Sequence, residues 1–376
     1  MKRAVLQRRG LPRAWSLGLS AVAATWLALG LVQSPSATAA VVLQYHHVSE
    51  ESPPSTSVTP ERFKEHMNYL VNHDFKVVPL EQLVAALKAG EKLPDKTAAI
   101  TFDDAYESVY TNALPVLKKR DWPFTVFVNT NPIDEEKHGF VSWDQLRKMA
   151  EEGATIANHS TAHNHLQRRK AGEDEKQWRE RIRHEVVKAE QRIEEETGQS
   201  HKMLAYPYGE YNNQVKALLE KLDFVAFGQQ SGPLGPHSDL RALPRFPFGG
   251  PYGSLEDFAT KVKTRPLPLE AVALYADWAR KEPLDEVVVK EGTRPVLAMT
   301  LEEASLAGRI SCFASGQGAI ETRVEENTVL TRANKPLNPG RTRYNCTAGT
   351  GESGRFFWFS QQWLVTGEDG EWQHED

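Results

Sequence analysis

The stretch AAITFDDAYESVY, residues 98–110, has the pattern of a buried strand that ends in two adjacent carboxylates and leads into a helix. Uncharged small, β-branched and aromatic residues are typical of a strand in a parallel sheet, which is covered on both faces. Asp103 and Asp104 then stand at the carboxyl end of that strand. A helix cap needs one carboxylate, and two ionised neighbours repel each other, so the pair also suggests a binding site.

The same alternation of strand and helix patterns continues on both sides of this stretch. Further strand patterns are VVLQY (41–45), KVVPL (76–80), PFTVFV (123–128), ATIA (154–157), MLAY (203–206) and FVAF (224–227). Helical spacing separates them, and a long amphipathic outer helix is predicted within residues 167–200. About seven such units over about 210 residues predict an α/β fold with a parallel sheet, closer to an incomplete barrel than to an open sheet.

The composition changes after about residue 268, where the Pro-rich segment TRPLPLE begins a different region. EAVALYADWARK (270–281) predicts a short helix, and the strand and turn signals that follow predict a small β-sandwich-like domain. Its aromatic residues either stack on sugars or fill the sandwich core; they are Phe356, Phe357, Trp358, Phe359 and Trp363. These changes predict three parts of the chain. They are an N-terminal segment of residues 1–40, a barrel domain of residues 41–268 and a C-terminal β-rich domain of residues 269–376.

The first 40 residues have the pattern of a signal peptide. Five basic residues and no acidic residue occur there, and the apolar segment LGLSAVAATWLALGLV precedes the small residues SATAA. This pattern predicts export and cleavage after Ala39 or Ala40, without a stable membrane anchor. The alternative is a transmembrane anchor, but the apolar segment is short. The net charge of −5 argues against nucleic acid as a partner, because phosphate binding needs a basic surface.

Cys312 and Cys346 are the two cysteines of the chain. Because the sequence predicts export to an oxidising compartment, we expect them to form a disulfide. Two buried free thiols are the alternative.

Two histidines in ANHSTAHNHL (157–166) are spaced for metal binding. His159 and His163 stand four residues apart, and such pairs can share one metal ion, although histidines also occur by chance in surface loops. Together with Asp104 they form a set of two histidines and one carboxylate, which leaves positions open for water. A metal in such a site lowers the pKa of water towards about 7. Asp103 then qualifies as the general base.

Two further motifs follow predicted strands. In YPYG (206–209), Pro207 fixes a turn and Gly209 allows the backbone to approach a ligand, so that a backbone N–H can stabilise an oxyanion. In YHHV (45–48), His46 or His47 reaches the same face of the sheet. A histidine there either protonates a leaving amine or forms a structural hydrogen bond.

The order TFDD, HSTAH, YPYG resembles the polysaccharide deacetylase family, also described as NodB-homology or carbohydrate esterase family 4. The resemblance covers roughly residues 41–250 and implies a distorted (β/α)7 barrel that removes acetyl groups, usually from N-acetylglucosamine polymers. It implies a divalent metal ion, with Zn favoured and Co, Ni, Fe or Mn as alternatives. The residues it implies are Asp103 as base, Asp104, His159 and His163 as metal ligands, and the Tyr208 backbone at the oxyanion.

The sequence departs from the family pattern at two places. The third motif usually carries an arginine that orients the catalytic Asp, but Ala205 stands at that position. Arg245, in LPRFPF, is the candidate substitute, placed with Tyr208 on the substrate and oxyanion side. The usual Leu-x-His with the general acid is not evident after residue 209, and His237 lies in a Gly/Pro-rich loop. The YHxV strand resembles the arrangement in biofilm poly-β-1,6-N-acetylglucosamine deacetylases, which implies His46 as the acid.

The sequence therefore predicts an exported, metal-dependent N-deacetylase that acts on a polysaccharide or oligosaccharide. Deacetylation of peptidoglycan, chitin or O-acetyl esters is an alternative within the same family. A carbohydrate-binding protein that has lost its chemistry is an alternative of a different class.

Overall fold

The structure, a computed structural model, describes residues 39–372. The predicted signal peptide lies outside these residues except at its boundary. Ala39 and Ala40 are buried, and Ala40 begins the first strand and pairs with Thr97. Cleavage after Ala39 would leave this strand whole, whereas cleavage after Ala40 would remove its first residue. Within residues 39–372, no helix has the length and hydropathy needed to span a membrane.

The strands of the barrel region agree closely with the sequence patterns. They are β1 Ala40–Tyr45, β2 His47–Val48, β3 Ser57–Val58, β4 Lys76–Val77, β5 Thr97–Asp103, β6 Phe124–Val128, β7 Ala154–Asn158, β8 Met203–Ala205, β9 Val225–Phe227 and β10 Phe246–Pro247. Every residue of β1, β5, β6 and β7 is buried, as expected for strands that are covered on both faces.

The helices cover the outside of this sheet. They are α1 Pro60–Asn72, α2 Leu80–Lys88, α3 Leu114–Lys118, α4 Thr130–Asp134, α5 Trp143–Glu151, α6 Glu175–Thr197, α7 Asn213–Lys221 and α8 Leu255–Lys261. A π-helical turn, Val109–Ala113, precedes α3. The predicted outer helix is α6, and its apolar stripe from Trp178 to Ile193 is buried. Asp174 and Gln177 form a capping box that fixes where α6 begins.

The parallel sheet curls into the distorted (β/α)7 barrel that the sequence predicts. Its order is β10-β1-β5-β6-β7-β8-β9, with β4 added beside β5. The Leu243 N–H donates to the Ala226 carbonyl over 2.9 Å, which joins β9 to the segment that leads into β10. β10 in turn pairs with β1, so the succession of paired strands that begins at β1 comes back to β1. The carboxyl ends of the strands therefore face a common opening.

The C-terminal region forms two further sheets from β11 Arg265–Pro266, β12 Leu269–Tyr275, β13 Val288–Lys290, β14 Val296–Leu301, β15 Ser311–Ala314, β16 Gly318–Ala319, β17 Glu321–Glu325, β18 Thr328–Arg332, β19 Gly340–Gly349 and β20 Phe356–Thr366. One sheet has the order β11-β20-β19-β15-β16 with β13 beside β20, and the other has the order β12-β14-β18-β17. Side chains of both sheets share one core, which confirms the sandwich-like prediction. The boundary at residues 268 and 269 stays a prediction.

One prediction in this region is wrong. The helix predicted over residues 270–281 is instead strand β12, which pairs antiparallel with β14. The alanines of this segment favour a helix, but its backbone hydrogen bonds go to the neighbouring strand. Tertiary pairing therefore overrides local propensity here.

The disulfide predicted between Cys312 and Cys346 is present and joins β15 to β19. The aromatic residues of β20 are divided between two environments. Trp363 is fully buried in the sandwich core against Tyr344, and the Trp358 ring contacts Phe246 of the barrel. Trp363 and Trp358 therefore contribute to the packing of the fold, whereas Phe356 is exposed.

Candidate active site

The predicted site residues meet at the carboxyl ends of neighbouring strands. Asp103 is the last residue of β5, and Asp104 follows it with a left-handed backbone at φ 69°. His159 directly follows β7, and His163 lies in the loop beyond it. The backbone turn at Asp104 directs the two carboxylates to different partners. The Asp103 carboxylate contacts Arg245, whereas the Asp104 carboxylate lies beside His159 and His163.

Asp104, His159 and His163 form a compact set of potential metal ligands. His159 Nε2 and His163 Nε2 each lie 3.3 Å from Asp104 Oδ1. One ligand atom from each residue lies within 4.8 Å of the others. Asp104 and His159 are buried, and the His163 side chain is 23% exposed. One side of the set is therefore open towards solvent.

The hydrogen bonds around His159 fit a cation at this set. Its Nδ1 lies 2.8 Å from the Ala205 carbonyl, which can only accept, so Nδ1 carries the proton. Nε2 is buried and has no hydrogen-bond partner among the described residues. Nε2 thus faces the Asp104 carboxylate, which together with Asp103 outweighs burial and raises the pKa of His159, and a cation between Nε2 and Asp104 would take the place of a proton there. A backbone carbonyl that fixes the tautomer is typical of a histidine that binds metal.

The charge states of Asp104 and His163 also suit a divalent metal ion. Burial raises the pKa of Asp104, but the neighbouring histidines outweigh it and hold that pKa below its usual range. Burial and the nearby His159 lower the pKa of His163 to about 4. A carboxylate and a neutral imidazole are the forms in which these groups bind metal. Nitrogen and oxygen donors in this ratio fit zinc and other first-row divalent ions.

Asp103 is held by an arginine that lies far away in the sequence. Arg245 Nη1 donates to Asp103 Oδ1 over 2.6 Å, and Nη2 donates to Oδ2 over 2.8 Å. Both side chains are fully buried. Arg245 therefore occupies the role that the arginine missing at Ala205 would have, but from the segment between β9 and β10. Both terminal nitrogens of its buried guanidinium contact Asp103, as expected of a substitute for the missing arginine, and a contact with substrate stays a prediction.

Gln44 of β1 also donates to Asp103, from Nε2 to Oδ2 over 2.7 Å. Burial raises the pKa of Asp103, but Arg245 and His159 outweigh it, so the pKa lies below its usual value. The carboxylate is therefore ionised and fixed in one orientation.

The histidines of YHHV have different surroundings. His46 Nε2 lies 4.0 Å from Asp103 Oδ2, and its side chain is 16% exposed. His47 stacks on Tyr106 at 3.6 Å, and burial together with His46 lowers its pKa to about 4. His46 is therefore the histidine of this pair that lies beside the carboxylate.

The YPYG turn lies at the end of β8, beside the metal-ligand set. Tyr208 has a left-handed backbone at φ 58°, and its ring lies 4.5 Å from that of His163. The His165 ring stacks on Tyr208 at 3.9 Å, and His165 Nδ1 lies 2.7 Å from the buried Glu210 carboxylate. The turn is thus held from both sides.

Replacement of Gly209 by alanine should disturb this turn strongly. Gly209 has φ +67°, and an added Cβ would lie 2.5 Å from Gln229 Cγ and 2.9 Å from the Gln229 backbone nitrogen. The left-handed backbone costs roughly 1–2 kcal/mol, and the overlap adds roughly 1–3 kcal/mol. We expect Gly209→Ala to lower the free energy of unfolding, measured by urea denaturation.

Gly198→Ala is the matched control for Gly209→Ala. Gly198 has a similar φ of +71°, but nothing lies within 4 Å of an added Cβ. Gly198→Ala should therefore lose only the unfolding free energy that the left-handed backbone costs, roughly 1–2 kcal/mol. Equal losses in the two variants would show that overlap with Gln229 adds no cost to the left-handed backbone.

Some residues of the site were not predicted from the sequence. Gln44 stands inside an apolar strand pattern, and a polar residue at a buried strand position is the signal that would have found it. His165 and Glu210 flank the HSTAH and YPYG motifs, but their contact joins residues 45 positions apart. Only the fold brings that pair together.

Comparison with known proteins agrees with this geometry. Residues 90–227 match the family model described as polysaccharide deacetylase. This range contains the acidic pair, both histidines of the metal-ligand set and YPYG. His46 and Arg245 lie outside it.

Several curated relatives share one name, poly-beta-1,6-N-acetyl-D-glucosamine N-deacetylase. The poly-beta-1,6-N-acetyl-D-glucosamine N-deacetylase of Escherichia coli K12 is 26% identical over 259 residues, which cover 60% of this chain and 38% of that protein. The protein of the same name from Staphylococcus aureus MRSA252 is 27% identical over 206 residues, which cover 54% of this chain and 71% of that protein. The chain thus spans well under half the length of the E. coli relative.

Solved structures share the fold. The deacetylase PplD of Streptococcus pyogenes, solved with acetate, matches with a TM-score of 0.54 and 21% identity, over 60% of this chain and 99% of that one. IcaB from Ammonifex degensii matches with a TM-score of 0.52 and 24% identity, over 58% of this chain and 95% of that one.

Proposed function

We propose that the chain is a metal-dependent N-deacetylase that releases acetate from β-1,6-linked N-acetylglucosamine polymers, because residues 90–227 match the polysaccharide deacetylase family model and the curated relatives carry that activity in their names. The observation that carries this proposal is the buried, ionised Asp103 clamped by Arg245 beside the set of Asp104, His159 and His163. The names of the curated relatives support the choice of polymer. Export of the chain after cleavage near Ala40 is part of the same proposal.

Asp104, His159 and His163 would hold the metal ion in this proposal. When bound, a divalent cation supplies Lewis acidity, which lowers the pKa of water and polarises the acetamide carbonyl. The Ala205 carbonyl keeps the His159 ring in the tautomer that presents Nε2.

Asp103 would accept the proton of the attacking water. Oδ2 accepts hydrogen bonds from Arg245 and Gln44, which occupy both of its lone pairs. Oδ1 accepts from Arg245 Nη1 and, among the described residues, keeps a second lone pair for the proton. The clamp lowers the basicity of the carboxylate but fixes its position, and positioning contributes more to such reactions than basicity alone.

The other roles follow from placement around Asp103. The Tyr208 backbone would face the oxyanion, a contribution worth about 3 kcal/mol in comparable sites. His46, beside Asp103, would protonate the amine that leaves. Attack on the acetamide carbon and cleavage of the C–N bond then yield acetate and a free amine on the polymer. The buried Asp–Arg pair beside the metal-ligand set favours an enzyme over a binding protein without chemistry.

Acetate release from a panel of polymers tests this function. The panel contains oligomers of β-1,6-linked N-acetylglucosamine, chitin oligomers, peptidoglycan fragments and an O-acetyl ester, each assayed with and without chelator. We expect the fastest release from the β-1,6-linked oligomers and loss of release in chelator. Faster release from another substrate would reassign the substrate, and no release from any of them would reject the function.

A further inference from the structure

A small polar cavity lies where the barrel meets the C-terminal sheet. Its volume is about 60 Å³, enough for a few ordered waters or for one polar group of a ligand. Gln229 and Gln230, from the loop after β9, line it on the barrel side. Arg341, Arg343 and Gln362 line it from β19 and β20. No acidic residue is among the described residues that line it.

Two buried amides at this cavity have polar atoms without partners. Gln362 is 2% exposed and Gln230 is 5% exposed. Gln362 Nε2 and Gln230 Oε1 have no hydrogen-bond partner among residues 39–372. Buried polar atoms are nearly always hydrogen-bonded, so both atoms indicate a polar occupant. One is a donor and the other an acceptor, and hydroxyl groups can both accept from Gln362 Nε2 and donate to Gln230 Oε1, whereas an anion cannot donate.

The two arginines fix the mouth of the cavity. Arg341 Nη1 donates to Gln229 Oε1 over 2.8 Å, and Arg343 Nη1 donates to the Gln229 carbonyl over 3.1 Å. The Arg343 guanidinium has five N–H donors in a planar fork, and the bond to Gln229 uses one of them, so further donors remain for acceptor oxygens. Arg341 is exposed and Arg343 is half-buried, so a ligand can enter from solvent.

Residues that line the cavity also contact residues of the active site. Gln229 stands against Gly209 of the YPYG turn, as the 2.5 Å approach to a Cβ at Gly209 shows. The Arg245 backbone N–H donates to the Gln230 carbonyl over 3.1 Å, and Arg245 Nε donates to the Gly228 carbonyl over 3.0 Å. The segment 228–230 thus lies between the clamp on Asp103 and the C-terminal sheet.

We propose that this cavity is a saccharide subsite that binds hydroxyl oxygens of a sugar unit next to the one being deacetylated. The C-terminal sheet then supplies part of the substrate-binding surface through Arg341, Arg343 and Gln362. The proposal rests on the proposed function, because it takes the ligand to be the same polymer.

Gln362→Met tests the subsite, because methionine has a similar length but no amide. The loss of a hydrogen bond to substrate should raise KM for a pentamer of β-1,6-linked N-acetylglucosamine about tenfold. A dimer reaches the cavity less often, so the ratio of kcat/KM between pentamer and dimer should fall. Arg323→Met is the control, since Arg323 lies exposed on β17 and contacts Glu321 and Trp278. It should leave the ratio unchanged.

Calorimetric titration of the chelated full-length chain separates this proposal from the proposed function. Binding of the pentamer about tenfold weaker to Gln362→Met than to wild type supports the subsite, even if no acetate is ever released. Equal binding by the two proteins, or an equal loss of kcat/KM on pentamer and dimer, would assign the cavity to structural water and overturn the subsite. Titration with sodium acetate reports anions; weakening for acetate but not for the pentamer would also overturn it.

Discussion

Replacement of Asp103 by asparagine should lower acetate release by roughly 10²–10⁴-fold, the contribution typical of a general base. Asp103 is outside the metal-ligand set, so the variant should keep its metal ion. The Arg245 guanidinium would stay fully buried without its carboxylate, and such a loss costs roughly 3–5 kcal/mol of unfolding free energy. Activity, metal content and urea denaturation are measured on the same preparation.

The double variant Asp103→Asn with Arg245→Met separates catalysis from stability. It removes the unpaired buried charge, so it should recover much of the unfolding free energy that Asp103→Asn loses. It should recover no acetate release. Recovery of activity together with stability would show that Asp103 serves the fold and is not the base.

Replacement of Asp104 by asparagine should reduce metal affinity more than roughly 100-fold, because even changes outside the metal ligands cost 10–100-fold. Asparagine tolerates the left-handed backbone at φ 69°, so the change removes charge with little strain. Metal content after dialysis and acetate release should fall together.

Asp121→Asn is the matched control for Asp104→Asn. Asp121 also has a left-handed backbone, at φ 53°, but it is exposed and away from the metal-ligand set. It should keep both metal and activity. A full complement of metal in the Asp104→Asn protein would remove Asp104 from the proposed ligands.

The barrel could be predicted from the sequence because its strands are short apolar runs that end in turn and helix signals. The metal-ligand set could also be predicted from the sequence, because His159 and His163 are close together and Asp104 directly follows a strand. The helix predicted over residues 270–281 failed because the segment pairs with β14, a contact that local propensity does not reveal.

The support around Asp103 was harder to predict. Arg245 is 142 positions away and Gln44 is 59 positions away, so their approach depends on the ladder that joins β1, β5 and β10. A single arginine in LPRFPF suggests a substitute, but only the closed barrel shows that it grips both carboxylate oxygens. The cavity beneath the C-terminal sheet has no sequence signal, because its residues come from four separate segments.

Titration of a divalent metal ion into the chelated protein, with acetate release from β-1,6-linked N-acetylglucosamine oligomers as the readout, tests the central claim most directly. The single set of Asp104, His159 and His163 found among the described residues predicts that activity starts at background and reaches its maximum at one metal ion per chain. Full acetate release by the metal-free protein, unchanged by added metal, would contradict the account.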